Sequence, residues 1–451
     1  MATHVLTGRV ERVAAPAVAT AGPVLLWVSL VLGGHLVGQR LVAADPLVHI
    51  GAPPLVGAFD IRLSWMLTGA LALAAGALVY GPALVARLRW RSLLATSWLA
   101  GSAWIVALAV GTGGGAEALW APLTTRYEYL PAVARVGDAH AFLQGFVAML
   151  PSYPTHVGGH PPGMTLLLWL ADRIGFGGPR WAAALVIGAA AVAAPAALVA
   201  MRALAGEQLA RRAALFVTLG PAAVWLGTSA DALFSATLAI GVALLAVACT
   251  LAPPTARRDP ARRALGPSRA GALAVLAGLV LGCGLLLSYG LAPLGLLPLA
   301  VAVVTRRWRL LALAAAGATA VILAFAAAGF WYPSGLAATR ELYGGGVAAR
   351  RPYLDFLVIA PAAFALVLGP AAFAGLAALR GQRAWILPGA ALAALVVAEL
   401  SGLSKGETER IWLPFAPWLA LATAALRAPR AWLAIQLGLA IALQVTVRSP
   451  W

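Results

Sequence analysis

The feature that most constrains this fold is a series of long apolar segments that recurs along almost the whole chain. A helix that crosses a lipid bilayer needs about 20 mostly apolar residues, and irregular backbone is not tolerated against lipid. About thirteen segments fit this requirement, although Pro and Gly shorten or interrupt several of them. They are 18–38, 63–85, 93–111, 181–201, 213–229, 232–250, 270–288, 291–305, 310–330, 354–379, 384–400, 411–426 and 431–447.

Composition supports the same interpretation. Of the 451 residues, 62% are hydrophobic and 10% are charged, whereas a soluble domain carries about 25% charged residues. Both cysteines, Cys249 and Cys283, lie inside apolar segments, so no disulfide framework is expected. The sequence therefore predicts an all-α polytopic integral membrane protein, with residues 1–451 forming one transmembrane domain.

The basic residues predict the orientation. If the N-terminus, with Arg9 and Arg12, is cytoplasmic, every second connection between apolar segments is basic, as the positive-inside rule requires. These connections hold Arg87, Arg89 and Arg91; Arg202, Arg211 and Arg212; Arg257, Arg258, Arg262, Arg263 and Arg269; Arg306, Arg307 and Arg309; Arg380 and Arg383; and Arg427 and Arg430. The pattern predicts a multi-pass protein of the cytoplasmic membrane with a cytoplasmic N-terminus.

Most carboxylates fall in or beside the intervening, outer loops, so any active site is expected on the outer face. The net charge of +17 follows from the topology, and no nucleic-acid partner is expected. Four outer segments stand out: 39–62, 112–180, 331–353 and 401–413. In the second, four apolar residues recur at helical spacing and predict an interfacial helix over 139–150: Leu143, Phe146, Val147 and Leu150.

Glu128 is the first candidate for chemistry, because it lies between Tyr127 and Tyr129 in the long outer loop. A carboxylate partly shielded from water there suits a general base. The alternative is a surface salt bridge to Arg126 or Arg135. Asp231 has a similar pair of interpretations, since it starts an apolar segment and can serve either the site or, with Ser229 as the cap, the helix N-terminus.

His156 and His160 lie four residues apart, which would suit a metal if the segment were helical. Five neighbouring prolines and glycines argue against a regular helix there: Pro154, Gly158, Gly159, Pro161 and Pro162. Contact of at least one histidine with substrate is the alternative. No metal ligands are assigned, and assistance by a divalent metal ion stays open.

The outer segments also carry cations: Arg340, Arg350, Arg351, Lys405 and Arg410. They either reach toward anionic lipid headgroups or clamp a phosphate, for which arginine offers two parallel donors and lysine a point charge. Lys405 is the only lysine of the chain and lies where the positive-inside rule disfavours it. This position favours the phosphate clamp.

Several motifs occur in the same order as in a known family, over most of residues 120–420. They are Tyr127-Glu128-Tyr129, the helix over 139–150, His160-Pro161-Pro162-Gly163, Asp231-Ala232-Leu233, and Arg410-Ile411-Trp412-Leu413-Pro414-Phe415-Ala416-Pro417. Together they resemble the GT-C glycosyltransferases, specifically the protein mannosyltransferase and aminoarabinose transferase superfamily. That family carries paired acids at its early motif. Here Glu128 stands alone, with Asp138 further on, so Glu128, Asp138 and Asp60 are the candidate bases, and Asp45 stays open as well.

The resemblance implies a GT-C-like helical bundle that transfers a sugar, with inversion, from a polyprenyl-phosphate donor to a glycan, lipid or protein acceptor. Membrane lipids are the expected surroundings. The residues expected to bind substrate are Tyr127, Tyr129, His156, His160, Asp231, Arg340, Arg351, Lys405, Glu409 and Arg410.

Two other functions stay open. A transporter or flippase of a lipid-linked or small polar substrate would also be polytopic, but such proteins concentrate ionisable groups near the bilayer midplane and often show internal repeats. A non-catalytic scaffold for envelope assembly would tolerate neutral outer carboxylates. Because the ionisable residues of this chain cluster in the outer loops and no repeat is visible, the sequence favours the glycosyltransferase.

Overall fold

The computed structural model describes residues 18–251 and 269–450. The predictions made for Arg9 and Arg12, and for the basic residues at 257, 258, 262 and 263, lie outside these ranges. Within them the chain forms α-helices, which we number in order. They are α1 Val18–Ala44, α2 Leu67–Arg87, α3 Trp90–Gly111, α4 Leu130–Val133, α5 Ala139–Met149, α6 Thr155–Gly158, α7 Gly163–Arg173, α8 Pro179–Ala205, α9 Glu207–Leu219, α10 Ala223–Leu226, α11 Asp231–Leu251, α12 Arg269–Leu287, α13 Leu296–Thr305, α14 Trp308–Ala327, α15 Tyr332–Gly345, α16 Tyr353–Ala378, α17 Gln382–Leu400, α18 Thr408–Ile411, α19 Ala416–Ala420 and α20 Pro429–Thr446.

Short 3-10 helices and one pair of strands complete the described secondary structure. The 3-10 helices are Pro46–Val48, Gly115–Leu119, Pro122–Thr124, Leu150–Ser152, Tyr289–Gly295, Val347–Arg350, Leu413–Phe415 and Leu421–Ala425. The strands β1 (Ala58–Phe59) and β2 (Val447–Arg448) pair antiparallel. This pairing brings the end of α20 against the loop that follows α1.

Nine helices of the described ranges are long and apolar enough to cross a membrane. They are Ala21–Ala44 within α1, and α2, α3, α8, α11, α12, α14, α16 and α17. The chain is therefore an all-α protein with the helices of a multi-pass membrane protein, as the sequence predicts.

The other four predicted spans are shorter, less regular or less apolar than a complete spanning helix. The segment predicted as 213–229 is split between α9 and α10 at Pro221. The one predicted as 411–426 is a succession of short α and 3-10 turns around Pro414 and Pro417. Proline removes a backbone donor and ends a regular helix, which explains the shortening of both. The segments predicted as 291–305 and 431–447 correspond to a 3-10 helix followed by α13 and to α20.

Small residues allow the long helices to approach one another closely. A Cβ atom on Gly278 of α12 would meet the carbonyl oxygen of Ala314 on α14, and one on Gly34 of α1 would meet Ala362 on α16. Helix association in lipid depends on such close packing, because the surrounding hydrocarbon supplies no hydrophobic driving force. The bundle is therefore tightly packed around α8, α11 and α16, whose residues are largely buried.

The four segments singled out in the sequence meet at one end of the bundle, which we call the site end. Hydrogen bonds join them pairwise: Arg351 Nε to Val48 O (3.0 Å), Val56 N to Glu409 Oε1 (2.9 Å), and Thr339 Oγ1 to Gly158 O (3.2 Å). The helix predicted over 139–150 is α5, and its inward face holds Phe142, Leu143 and Phe146. Because all four segments share contacts, residues that are far apart in sequence can form one site.

Candidate functional site

Five ionisable side chains meet at the site end, and we call them the charged cluster: Glu128, His156, Asp231, Glu407 and Arg410. Arg410 lies at the centre. Its Nη1 donates to Asp231 Oδ2 (2.8 Å), and its Nη2 donates to Glu407 Oε2 (2.8 Å). The same Nη2 lies 3.2 Å from His156 Nε2. His156 Nδ1 in turn lies 2.8 Å from Glu128 Oε1.

Local backbone structure places each member of the cluster. Asp231 is the first residue of α11, where Ser229 Oγ accepts from its N–H (3.2 Å) and donates to its Oδ2 (2.7 Å). The predicted Ser229 cap is therefore present, and Asp231 also serves the cluster. Glu407 and the preceding Gly406 both have positive φ, at 61° and 91°, so the chain turns sharply before α18 and directs Arg410 inward. His156 N donates to Tyr127 O (2.9 Å), which aligns α6 with the Glu128 turn.

The contacts of His156 assign its tautomer. A guanidinium group only donates hydrogen bonds, so Nε2 must accept from Arg410 and carries no proton. The ring proton then lies on Nδ1, the atom that faces Glu128 Oε1. Arg410 and Glu128 thus hold the His156 ring between them.

The cluster is buried, and one side of it reaches solvent. Glu128, Asp231 and Arg410 are each 2% exposed, whereas the Glu407 side chain is 26% exposed. Burial opposes the charge on Arg410, but Asp231 and Glu407 outweigh this effect and raise its pKa. Burial likewise acts to raise the pKa of Glu407, but its charged and hydrogen-bonding neighbours, Arg410 foremost, together lower the pKa below its usual value. Two carboxylates therefore pair with one buried arginine.

Three further groups lie around the cluster: Tyr129 and Glu409 are buried, and His160 is partly buried. The Tyr129 ring packs against His160, with centroids 5.9 Å apart, and burial raises its pKa well above the usual value. Burial lowers the pKa of His160 to about 4, so this histidine is neutral near pH 7. Burial raises the pKa of Glu409 to about 7. Its Oε1 accepts from Val56 N, and its Oε2 has no hydrogen-bond partner among the described residues.

The outer cations divide into two groups. Lys405 Nζ donates to the carbonyls of Ala348 (2.6 Å) and Arg351 (2.9 Å). Arg351 Nη1 donates to Lys405 O (2.6 Å). These two residues therefore tie loops together. Arg340, in contrast, lies exposed on α15, where it can meet a ligand.

Three of the candidate bases make their contacts elsewhere. Asp138 is the N-cap of α5 and accepts from Ala141 N (2.8 Å). Asp60 lies 3.6 Å from Arg448 beside the β1–β2 pair. Asp45 caps the first 3-10 helix and pairs with Arg350. Of the candidate bases, only Glu128 belongs to the charged cluster.

The alternative of a surface salt bridge for Glu128 is wrong. Arg126 donates to the hydroxyl of Tyr127, which is 47% exposed. Arg135 donates to Ser152 O (2.7 Å). Both arginines are exposed, whereas Glu128 is turned inward to His156, which explains why the predicted pairing does not form.

Glu407 is the member of the cluster that the sequence does not single out. The signal for it is the Gly406-Glu407 pair, which predicts a tight turn just before the Arg410 motif. The two histidines make their contacts within the protein: the ring nitrogens of His156 face Glu128 and Arg410, and His160 Nδ1 bonds to His156 O (2.8 Å). Within the ranges that the structure describes, no group of three or more His, Cys, Asp or Glu residues is arranged to hold a metal ion.

An apolar groove lies next to the segment that carries Glu128. It encloses about 350 Å³ between α4, α7 and the start of α8. Leu130, Val133, Leu168 and Trp181 line it, and Asp172 lies among the lining residues. The groove can therefore hold a hydrocarbon chain close to the charged cluster.

A scan against protein-family models, a search of curated proteins and a search of solved structures each found nothing that matches this chain.

Proposed function

We propose that this chain is a membrane glycosyltransferase that moves a sugar, with inversion, from a polyprenyl-phosphate donor to an acceptor hydroxyl. The observation that carries the proposal is the charged cluster: the buried carboxylate of Glu128 lies 2.8 Å from His156, which in turn contacts Arg410. The order of the motifs that resemble the GT-C family supports it. The full proposal includes about thirteen spans, a cytoplasmic N-terminus and a site on the outer face, as the arginine pattern predicts.

Glu128 acts as the general base in this proposal. It takes the proton from the acceptor hydroxyl while that oxygen attacks C1 of the sugar from the side opposite the phosphate. The C1–O bond to the phosphate breaks, and its electron pair leaves with the polyprenyl phosphate. A phosphate leaves without a general acid if cations stabilise its charge.

The Glu407–Arg410 pair is the part of the cluster that suits the phosphate. Glu407 is its most exposed member, and its carboxylate occupies Arg410 Nη2. A donor phosphate that displaces Glu407 would gain a charge-assisted hydrogen bond from Arg410. The exposed Arg340 is a second candidate, whereas Lys405 and Arg351 act by fixing the loops.

The apolar groove beside α4 suits the lipid part of the donor. Its lining is almost entirely hydrocarbon, and Trp181 and Phe176 on its rim are about half exposed. Aromatic side chains of this kind favour the boundary between lipid and water. A polyprenyl chain in the groove would hold its phosphate near Leu130, two residues from Glu128.

Transport is a second candidate, because α16 is interrupted within its apolar length. Gly369 has φ 68° and ψ 165°, which breaks the helix just before Pro370. Discontinuous helices form the substrate and ion sites of many secondary transporters. The lipid-linked or small polar substrate of a flippase would then pass along the bundle.

A donor panel tests the proposed function. The protein is reconstituted in lipid nanodiscs and mixed with polyprenyl phosphates that carry different labelled sugars. We expect at least one donor to bind and to release free polyprenyl phosphate. If no donor binds or turns over while labelled lipid crosses proteoliposomes that contain the protein, transport replaces transfer as the function.

A further inference from the structure

A small cavity lies where two apolar helices end or break. It encloses about 50 Å³ between residues of α3, α8, α9, α11, α16 and α20 and the segment after Arg410. The first half of α16 ends at the Gly369 break, and α9 ends at Leu219, two residues before Pro221. Ser235, one helical turn along α11 from Asp231, also lines the cavity.

The two helix ends leave carbonyl oxygens without their helical donors. In an α-helix each carbonyl accepts from the N–H four residues on, and proline has no N–H. Pro221 therefore deprives the carbonyl of Val217, which lines the cavity, and Pro370 deprives that of Leu366, next to the lining residue Val367. Trp27 Nε1 donates to the carbonyl of Ala365 (2.8 Å). This hydrogen bond compensates in part for the helical hydrogen bonds lost at the break in α16.

Side-chain oxygens add to the polar part of a mostly apolar lining. Three of them have no hydrogen-bond partner within the described part of the chain: Gln436 Oε1, Ser235 Oγ and Thr218 Oγ1. Gln436 is 2% exposed and Ser235 is fully buried. Gln436 Nε2 donates to Leu368 O (2.7 Å), which assigns Oε1 as the remaining acceptor. Leaving such acceptors buried without a donor or a cation costs free energy.

We propose that this cavity binds one dehydrated monovalent cation, Na⁺, through these hydroxyl, amide and carbonyl oxygens. Hard cations take oxygen ligands, and carbonyl oxygens can replace their hydration shell. The C-terminal end of a helix carries partial negative charge, so the ends of α9 and of the first half of α16 favour a cation. No carboxylate is among the lining residues, so the site suits a monovalent ion better than a divalent one.

Thermal unfolding in matched salts tests this site. The midpoint is measured in nanodiscs with NaCl, KCl or N-methylglucamine chloride at equal ionic strength and pH. We expect Na⁺ to raise the midpoint saturably, by at least about 2 °C over the other two salts. Ser235→Ala and Gln436→Leu should remove the increase. Ser97→Ala changes a buried serine of α3 that does not line the cavity, so this control should keep it.

Equilibrium binding of radioactive sodium gives a second readout. The parent protein and Ser97→Ala should bind close to one ion per chain, and Ser235→Ala should bind none. Equal midpoints in the three salts, or a rise in KCl alone, together with no bound sodium in the parent, would overturn the proposal. Neither readout depends on sugar transfer, so the ion site and the proposed function can fail separately.

Discussion

The charged cluster and the small cavity lined by Ser235 and Gln436 lie one helical turn apart along α11, and their buried polar atoms differ in whether they are paired. In the cluster, Asp231 and Glu407 pair directly with Arg410. In the cavity, Ser235 and Gln436 present neutral oxygens that pair with no other described residue. The cluster is therefore held together by its own charges, whereas the oxygens of the cavity suit the proposed cation.

The largest expected effect comes from removing the central cation of the cluster. Arg410→Gln leaves Asp231 and Glu407 without their buried partner, and breaking a buried ion pair costs about 3–5 kcal/mol. The free energy of unfolding in detergent measures this loss. Arg340→Gln is the control, since Arg340 is exposed on α15 and should change stability by less than about 0.5 kcal/mol.

A double variant tests the pairing of Asp231 with Arg410. Adding Asp231→Asn to Arg410→Gln removes one of the unpaired charges, so the double variant should be more stable than Arg410→Gln alone. If the two single changes add without coupling, Asp231 and Arg410 do not act as a pair.

The matching test in the cavity is a substitution at Gly369, where the backbone has positive φ. Gly369→Ala forces alanine into positive φ and places a methyl group on the Gln436 amide. Backbone strain and overpacking together should cost about 2–4 kcal/mol of unfolding free energy. Gly188→Ala in α8 is the matched control, because a Cβ atom there meets nothing within 4 Å. Equal stability of the two variants would contradict the strained break.

Glu409, beside the charged cluster, is expected to make the stability of the protein depend on pH. Burial raises its pKa to about 7 in the folded protein, from an ordinary value of 4.5, with Glu407 and Arg410 as charged neighbours. The neutral form is therefore favoured by folding. Its contribution to stability is present below pH 4.5 and is lost as the pH rises through about 7.

The expected loss from this carboxyl is at most about 3 kcal/mol between those limits. Glu409→Gln should flatten that part of the curve of unfolding midpoint against pH. A Glu409→Gln curve that falls as steeply as that of the parent would contradict a buried neutral carboxyl.

The smallest effect is expected outside both regions. Asp138 caps α5 through Ala141 N, and its replacement by alanine should cost about 1 kcal/mol of stability. Sugar transfer per folded molecule should not change. A loss of transfer out of proportion to the loss of stability would bring Asp138 back as a catalytic group.

Much of the fold follows from local pattern. The lengths of the apolar segments predict the nine long helices, and the spacing of Leu143 and Phe146 predicts α5. The segment 411–426 is not a single helix, because Pro414 and Pro417 interrupt it. The apolar content of the segment does not reveal these turns. Local pattern therefore predicts elements better than it predicts their ends.

The site could be predicted only in part. Glu128, His156, Asp231 and Arg410 are notable in sequence by their residue types and positions. The pairing of Asp231 with Arg410 spans 179 residues, and no local pattern determines it. The roles of Lys405 and Arg351 show the same limit, because only tertiary structure reveals the carbonyls that occupy their donors. Residue chemistry suggests which groups can react, and packing decides which of them meet.

The most direct test of the central claim compares two carboxylates of the same loop. Glu128→Gln keeps an oxygen that can accept from His156 but removes the base, whereas Asp138→Asn alters a carboxylate outside the cluster. With a donor that the parent protein uses, release of polyprenyl phosphate is measured in a single turnover, beside donor binding. We predict that Glu128→Gln binds the donor and loses at least about 100-fold in rate, while Asp138→Asn keeps the parent rate. A Glu128→Gln protein that transfers sugar as fast as the parent would contradict the account.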